Sequence, residues 1–227
     1  MKVWLVQAEA KLCDKEANAQ KILSYMDQAI EAKVDLVAFA ETFLTGYMCG
    51  HRFVELAEPI PGPSTMEIME KAKKGVYVLF GMPEACGDTV YDSAPLFGPE
   101  GLVGVYRKLY LADAYTPVTT CTESVFFKVG NDIPTFDTRF GKLGVEICRE
   151  IFYPEIPRAH ACRGALLMLN INAAWWGPKG WDLGPLFQLM ARARAIENAA
   201  WFGVVAQVGV QNGIRLGGGT CLVDNTG

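Results

Sequence analysis

The sequence predicts an α/β fold with mixed β-sheets. Short apolar runs of strand length alternate with amphipathic stretches of helical period along the whole chain. Several of these form strand–helix–strand units, which bring parallel strands. Between residues 76 and 107, three strand-like runs follow one another with only Gly/Pro punctuation, so they read as antiparallel neighbours.

Taken in order, residues 3–8 read as a strand. Residues 15–32 read as a helix, with Ala19, Ile22, Leu23, Met26, Ala29 and Ile30 on one face. Residues 34–40 (VDLVAFA) form the next strand. Residues 64–73 form a helix, with Ser64 as its N-cap after Pro61-Gly62-Pro63. Strands are expected at 76–81, 90–97, 102–107 and 143–147, a helix opening near Pro154, and a strand at 165–170. A long helix covers 186–200, followed by strands at 201–207 and about 218–223. The chain closes on Asp224-Asn225-Thr226-Gly227, a turn signal directly after a strand, so a further partner strand is expected and the sequence reads as cut short.

The 227 residues suffice to bury roughly 70–75% of the unfolded surface without a disulfide or metal staple. With 51% hydrophobic and 20% charged residues the composition is that of a soluble globular protein. A net charge of −4 argues against a nucleic-acid or anionic-membrane partner held by a basic face. The seven cysteines are odd in number, dispersed and without a CxxC pair, which fits a reducing compartment. No signal-peptide core and no membrane-length apolar run occurs, so a cytoplasmic location is expected.

In open α/β sheets reactive groups collect beyond the carboxyl ends of strands. Three residues occupy that place: Glu41 after VDLVAFA, Lys108 after LVGVYR and Cys148 after LGVEI. Cys148 reads either as a nucleophile, its anion favoured by a helix start, or as a buried structural cysteine. Glu41 is either a strand-end carboxylate or a general base tuned by a dry pocket. Lys108 is either a solvated cation or a fixed charge for an oxyanion. Glu123 matters if it orients Lys108 or the substrate. The two histidines, His51 and His160, read as surface or helix-face residues rather than as the base of a Cys–His enzyme. Gly217-Gly218-Gly219 lacks a following helix and reads as a bulge or a tight turn into a strand rather than an anion cradle.

With their surroundings these residues resemble the nitrilase, or carbon–nitrogen hydrolase, superfamily. AETFLTGY at 40–47 is similar to its catalytic glutamate segment, YRKLYL at 106–111 to its lysine segment, and GVEICREIFYPE at 144–155 to its cysteine segment. LMLNINAAWW at 167–176, RARAIEN at 192–198 and GGGTCLVDNTG at 217–227 follow in the family's order. Glu150 and Thr220 depart from the commoner aspartate and serine. The resemblance implies a four-layer α-β-β-α sandwich of two mixed sheets, with a single domain over 1–227 that is expected to lack the family's C-terminal strands. It implies a Glu41–Lys108–Cys148 triad with Glu123 as a fourth participant. Tyr47, Asn172, Trp175 and Trp176 lie in segments that adjoin strand ends and, with Arg149, are candidate substrate contacts, the two tryptophans reading equally as core.

The implied activity is hydrolysis of small non-peptide amides to acid and ammonia through a thioester, with no metal or organic cofactor. N-carbamoyl amidohydrolase and nitrilase activities are the alternatives. The CRE at 148–150 differs from the CWE of true nitrilases, which favours an amidase. A non-catalytic or redox-sensing cysteine protein is the remaining class. A homodimer or larger assembly is implied, with Arg192, Arg194 and Glu197 available to it. Arg194 and Glu197 otherwise read as an i,i+3 pair on a solvated face.

Overall fold

The computed structural model describes residues 1–115, 120–175 and 182–227. The first sheet contains β1 (Val3–Leu5), β2 (Leu36–Ala38), β3 (Tyr77–Leu79), β4 (Met82–Cys86), β5 (Thr89–Gly98) and β6 (Gly101–Arg107). β1, β2 and β3 run parallel. β5 turns antiparallel, pairing with β3 and β4 through successive halves and with β6 along its other edge. Helices α1 (Lys15–Glu31), α2 (Arg52–Leu56) and α3 (Met66–Ala72) belong to this half of the chain. A small hairpin, β7 (Asp113–Tyr115) with β8 (Thr120–Thr122), follows.

The second sheet runs in the order β15-β12-β11-β10-β9. Its strands are β9 (Thr135–Thr138), β10 (Gly141–Ile147), β11 (Ala165–Asn172), β12 (Trp201–Ala206) and β15 (Cys221–Val223), with β10, β11 and β12 parallel and the two outer strands antiparallel. Helices α4 (Glu155–Cys162) and α5 (Gly184–Asn198) supply the crossovers, and β13 (Val208–Gln211) pairs with β14 (Ile214–Gly217) in a separate hairpin.

Side-chain alternation explains the layering. Leu36 and Ala38 of β2 point into a core shared with Val145, Leu169 and Ile171 of the second sheet. Val37 points the other way, among Ile22, Met26 and Ala29 of α1 and Ile68 of α3. Two mixed sheets therefore face each other with helices outside, as the family resemblance implied. α1 is capped by Asp14, whose carboxylate accepts from the Ala17 N–H at 3.0 Å. Among the described residues no helix is long and apolar enough to cross a membrane.

Several expectations are corrected. Ser64 caps no helix: its N–H and hydroxyl both donate to the Glu58 carboxylate, and α3 starts later, at Met66. β4 was masked by Pro83, read as punctuation, although it sits in the pairing opposite Asp92. The hairpin β13–β14 turns on Asn212-Gly213, both at positive φ, a signal present in the sequence and not used.

Arg194 lies on no solvated face. It is 5% exposed, and its Nε donates to the Ile151 carbonyl while its Nη1 pairs with Glu197 at 2.9 Å. His160 is equally buried, facing β10 with its Nε2–H donated to the Val145 carbonyl at 3.0 Å. It lies so close to the strand that a Cβ at Gly144 would meet its Cγ at 2.7 Å.

Burial pushes the His160 imidazole down from 6.5 to about 4. Its folded value is depressed, so its stabilising contribution is present above pH 6.5 and is lost as pH falls towards 4. At pH 5 the loss amounts to about 2 kcal/mol. Urea unfolding of the protein and of His160→Gln should therefore show a smaller fall in midpoint between pH 7 and pH 5 for the variant. Equal falls would remove His160 as the cause.

Candidate active site

The three strand ends singled out in the sequence meet because β2, β6 and β10 present their carboxyl ends to one crevice. Glu41 lies just past β2, Lys108 directly past β6, and Cys148 directly past β10. Glu123 opens a single 3-10 turn, Glu123–Val125. All four are buried, with Glu41 and Lys108 at 0% exposure and Cys148 at 5%. Lys108 Nζ donates to Glu41 Oε1 at 2.5 Å and to Glu123 Oε1 at 2.8 Å.

Each side chain is held from behind. Glu41 Oε2 accepts from the Ala173 N–H at 2.8 Å, and its carbonyl accepts from Gln207 Nε2 at 3.0 Å. Next to it the chain passes so close to Gly81 that a Cβ there would lie 2.6 Å from Glu41 Cα. Glu123 accepts from the Tyr47 hydroxyl at 2.5 Å and from the Ala112 N–H at 2.7 Å. Cys148 has a left-handed backbone (φ 52°), an unfavourable conformation for a residue with a Cβ. Its carbonyl accepts from Asn170 Nδ2 at 3.0 Å.

Glu150 holds the turn itself. Its carboxylate accepts from the N–H groups of Ile147, Leu109 and Tyr110 and from the Tyr106 hydroxyl, tying the segment after Lys108 to the segment around Cys148. Burial nonetheless raises this carboxyl to about 7. Glu146, bonded to Asn170, is raised by burial to about 8.

Two charges act on the sulfur in opposite directions. The cation of Lys108 favours a thiolate, but burial of Cys148 and the charge of Glu41 outweigh it, and the thiol is held well above its ordinary value. The resting sulfur is protonated. Burial opposes the charge on Lys108, yet the neighbouring carboxylates, Glu123 and Glu41 foremost, overcome it and hold the ammonium protonated. Burial raises Glu123.

Asp92 was not singled out in the sequence. It is fully buried and its Oδ2 lies 3.4 Å from Lys108 Nζ. A rule that looks beyond strand carboxyl ends misses it, because it sits early in β5, an antiparallel strand whose Ser93 pairs with Arg107 at the end of β6. Gln207, Gln211 and Asn170, which brace the backbone here, were missed too; amides carry no charge or spacing signal.

Carboxylate oxygens of Glu41, Asp92 and Glu123 lie within 4.8 Å of one another, a spacing compatible with a metal ion. Lys108 Nζ already contacts all three and supplies the positive charge that such a set calls for. The donor set fits an ammonium.

The expected substrate contacts divide. Tyr47 is buried, stacks on Trp175 at 5.9 Å between centroids, and commits its hydroxyl to Glu123. Asn172 is buried, with Oδ1 accepting from the Ala174 N–H at 3.2 Å and Nδ2 without a protein partner. Arg149 is partly exposed and its Nε donates to the Tyr153 hydroxyl at 3.1 Å, beside the stacked pair Tyr110–Tyr153. Trp176 lies outside the described residues.

Comparison with known proteins agrees with this architecture. The family model described as carbon–nitrogen hydrolase matches residues 2–227. A probable nitrilase of Schizosaccharomyces pombe is 35% identical over 98% of this chain and 80% of its own length. The human omega-amidase NIT2 is 32% identical over 82% of this chain and 67% of its own length. Among solved structures, Saccharomyces cerevisiae Nit3 superposes with a TM-score of 0.86 at 27% identity, covering 100% of this chain and 83% of the other. An amidase from Nesterenkonia AN1 shares the fold, with a TM-score of 0.84 at 22% identity, over 100% of this chain and 83% of the other. The protein is thus a hydrolase acting on carbon–nitrogen bonds other than peptide bonds. It belongs to the carbon–nitrogen hydrolase family.

A neutral, buried Cys148 should react with N-ethylmaleimide at pH 7 more slowly than the exposed Cys86 and Cys162. Site-resolved mass spectrometry of labelling over time checks this, and labelling of Cys148 first would show a preformed thiolate.

Proposed function

We propose that the protein is a cysteine-dependent amidase that converts small non-peptide amides to the carboxylic acid and ammonia. The observation that carries this reading is the buried ammonium of Lys108, fixed by Glu41 and Glu123 beside the Cys148 thiol. A thiol, a base in contact with it and a cation that cannot move away form the set that acyl transfer requires.

In the reaction Glu41 takes the proton of Cys148 as the sulfur forms a bond to the amide carbonyl carbon. The carbonyl oxygen becomes an oxyanion facing Lys108 Nζ and the backbone N–H of Arg149. Donors of this kind contribute on the order of 3 kcal/mol each. Glu41 returns the proton to the departing nitrogen, the C–N bond breaks, and ammonia leaves a thioester on sulfur. Water then gives a proton to Glu41 and its oxygen to the acyl carbon. The C–S bond breaks, the acid departs and Glu41 re-protonates the thiolate.

A resting neutral thiol suits this sequence, since the proton moves only when the electrophile is in place. Glu123 acts on Lys108 rather than on substrate, holding the ammonium in one position with the help of Tyr47 and Ala112.

The preferred substrate is a monoamide of a dicarboxylic acid. Arg149, next to Cys148 in the chain, donates to the neutral Tyr153 hydroxyl, and among the described residues no carboxylate pairs with it, so its charge is available to an anionic group. The relative named an omega-amidase points the same way. Residues 1–227 act as one domain in this reading.

Cys148→Ala should abolish ammonia release from a panel of amides, by roughly 10³-fold or more, with the fold retained by circular dichroism. Undiminished turnover would reject the nucleophile. Lys108→Met should lower kcat roughly 10²-fold, and a normal kcat would remove the lysine from the oxyanion role. Arg149→Ala should raise KM for a dicarboxylate monoamide about tenfold, while leaving a neutral aliphatic amide unaffected. Equal changes for both would exclude Arg149 from recognising charge.

A further inference from the structure

Lys108 carries three N–H donors and faces three carboxyl groups, at 2.5 Å from Glu41, 2.8 Å from Glu123 and 3.4 Å from Asp92. Were all three ionised, a buried site would hold three negative charges against one positive. Buried carboxylates at such spacing share protons instead of carrying full charge.

The donors around each group identify the one that carries the proton. Glu41 accepts from Lys108 and from the Ala173 N–H. Glu123 accepts from Lys108, Tyr47 and the Ala112 N–H. Asp92 has Lys108 at 3.4 Å, and neither of its oxygens accepts a hydrogen bond from an N–H or hydroxyl donor. An ionised carboxylate left this way inside a protein is costly, whereas a neutral carboxylic acid there needs only one acceptor for its own O–H. Glu41 is the carboxylate placed to be that acceptor: an oxygen of it lies within 4.8 Å of an Asp92 oxygen, and the two side chains interact as a hydrogen-bonding pair.

We propose that Asp92 is a positioning residue of this site: it remains a neutral carboxylic acid at neutral pH and donates its proton in a hydrogen bond to Glu41. The inference rests on the roles proposed above for Glu41 and Lys108. The groups facing Asp92 are Glu41 beyond β2, Lys108 beyond β6 and Glu123 in the 3-10 turn. Its neighbour Ser93 bonds instead to Glu84, which holds Arg107. Burial, chiefly, raises Asp92 well above the ordinary carboxylate range, in keeping with this geometry.

The consequence is a site with one net negative charge rather than two. Losing the Asp92 proton at alkaline pH would add a charge beside Glu41, which must take the proton of the sulfur, and beside Lys108, which faces the oxyanion. It would therefore close the alkaline side of the activity profile.

Two measurements test this. Carbon-13 labelling of aspartate carboxyls reads protonation without turnover, and Asp92 is the one aspartate buried among the described residues. At pH 7 one aspartate should be neutral, and its signal should vanish in Asp92→Asn. Finding every aspartate ionised, or a neutral signal that survives the substitution, overturns the proposal. If Asp92→Asn does not fold, the spectrum of the unsubstituted protein alone decides.

The second measurement is kcat/KM against pH. Asparagine replaces the O–H donor with N–H and keeps the charge, so Asp92→Asn should stay within about tenfold of the parent, with its alkaline limb moved to higher pH. Asp92→Leu should fall at least about tenfold further. An acid limb displaced to lower pH in Asp92→Asn, or an asparagine variant no better than leucine, overturns the role. Retained turnover in Cys148→Ala would sink the functional reading while leaving the carboxyl signal intact, so the two failures are distinguishable.

Discussion

The structure depends on keeping one ammonium, that of Lys108, charged and fixed in a buried position. An isolated charge in such a place carries a desolvation cost of several kcal/mol. Here carboxyl groups from separate parts of the chain offset it: Glu41 after β2, Glu123 from the 3-10 turn and Asp92 from β5. The carboxyl groups need the lysine as much as it needs them. Docking of β6 beside β5, closure of the 3-10 turn over the site and approach of the second sheet are thereby coupled to one another.

Much of the surrounding polar structure keeps that cluster rigid. Gln211 accepts from the N–H groups of Tyr47 and Met48 and donates to Gln207, which in turn donates to the Glu41 carbonyl. Asn170 bridges Glu146 and the Cys148 carbonyl. Glu150 gathers three N–H groups and a hydroxyl around the strained turn at the sulfur. These contacts replace water with fixed dipoles, which is how a buried site avoids reorganising when charge develops. Glu84 meets Ser93 and Arg107 in a separate ion-pair network alongside, where exposure of Arg107 makes each contact worth less.

The balance of charge also decides the resting state. A lysine beside a cysteine suggests a thiolate on first inspection. Burial and the neighbouring glutamate act in the opposite direction and prevail, because the dry surroundings penalise any anion that is not directly paired. Reactivity is thus conditional on a substrate bringing its own electrophile. Glu41 sits between the ammonium and the thiol and is the group through which the two are linked.

The linear order of residues was enough to define the α/β class, most strand and helix positions, and three of the strand-end residues. Those features follow from local periodicity and from a rule about strand termini, both of which are properties of short segments. It also indicated the family, since ordered motifs survive without reference to contacts. Tertiary structure alone decided the rest. Asp92 escaped notice because its significance comes from the antiparallel pairing of β5 with β6 rather than from its neighbours in the chain. Arg194 read as solvent-facing, and His160 was left between surface and helix face, because amphipathic spacing cannot tell a helix side packed on a sheet through a polar contact from one facing water. The protonation of Cys148 followed from burial and from the summed charge of side chains up to 107 positions away, which only the assembled fold brings within reach of one another.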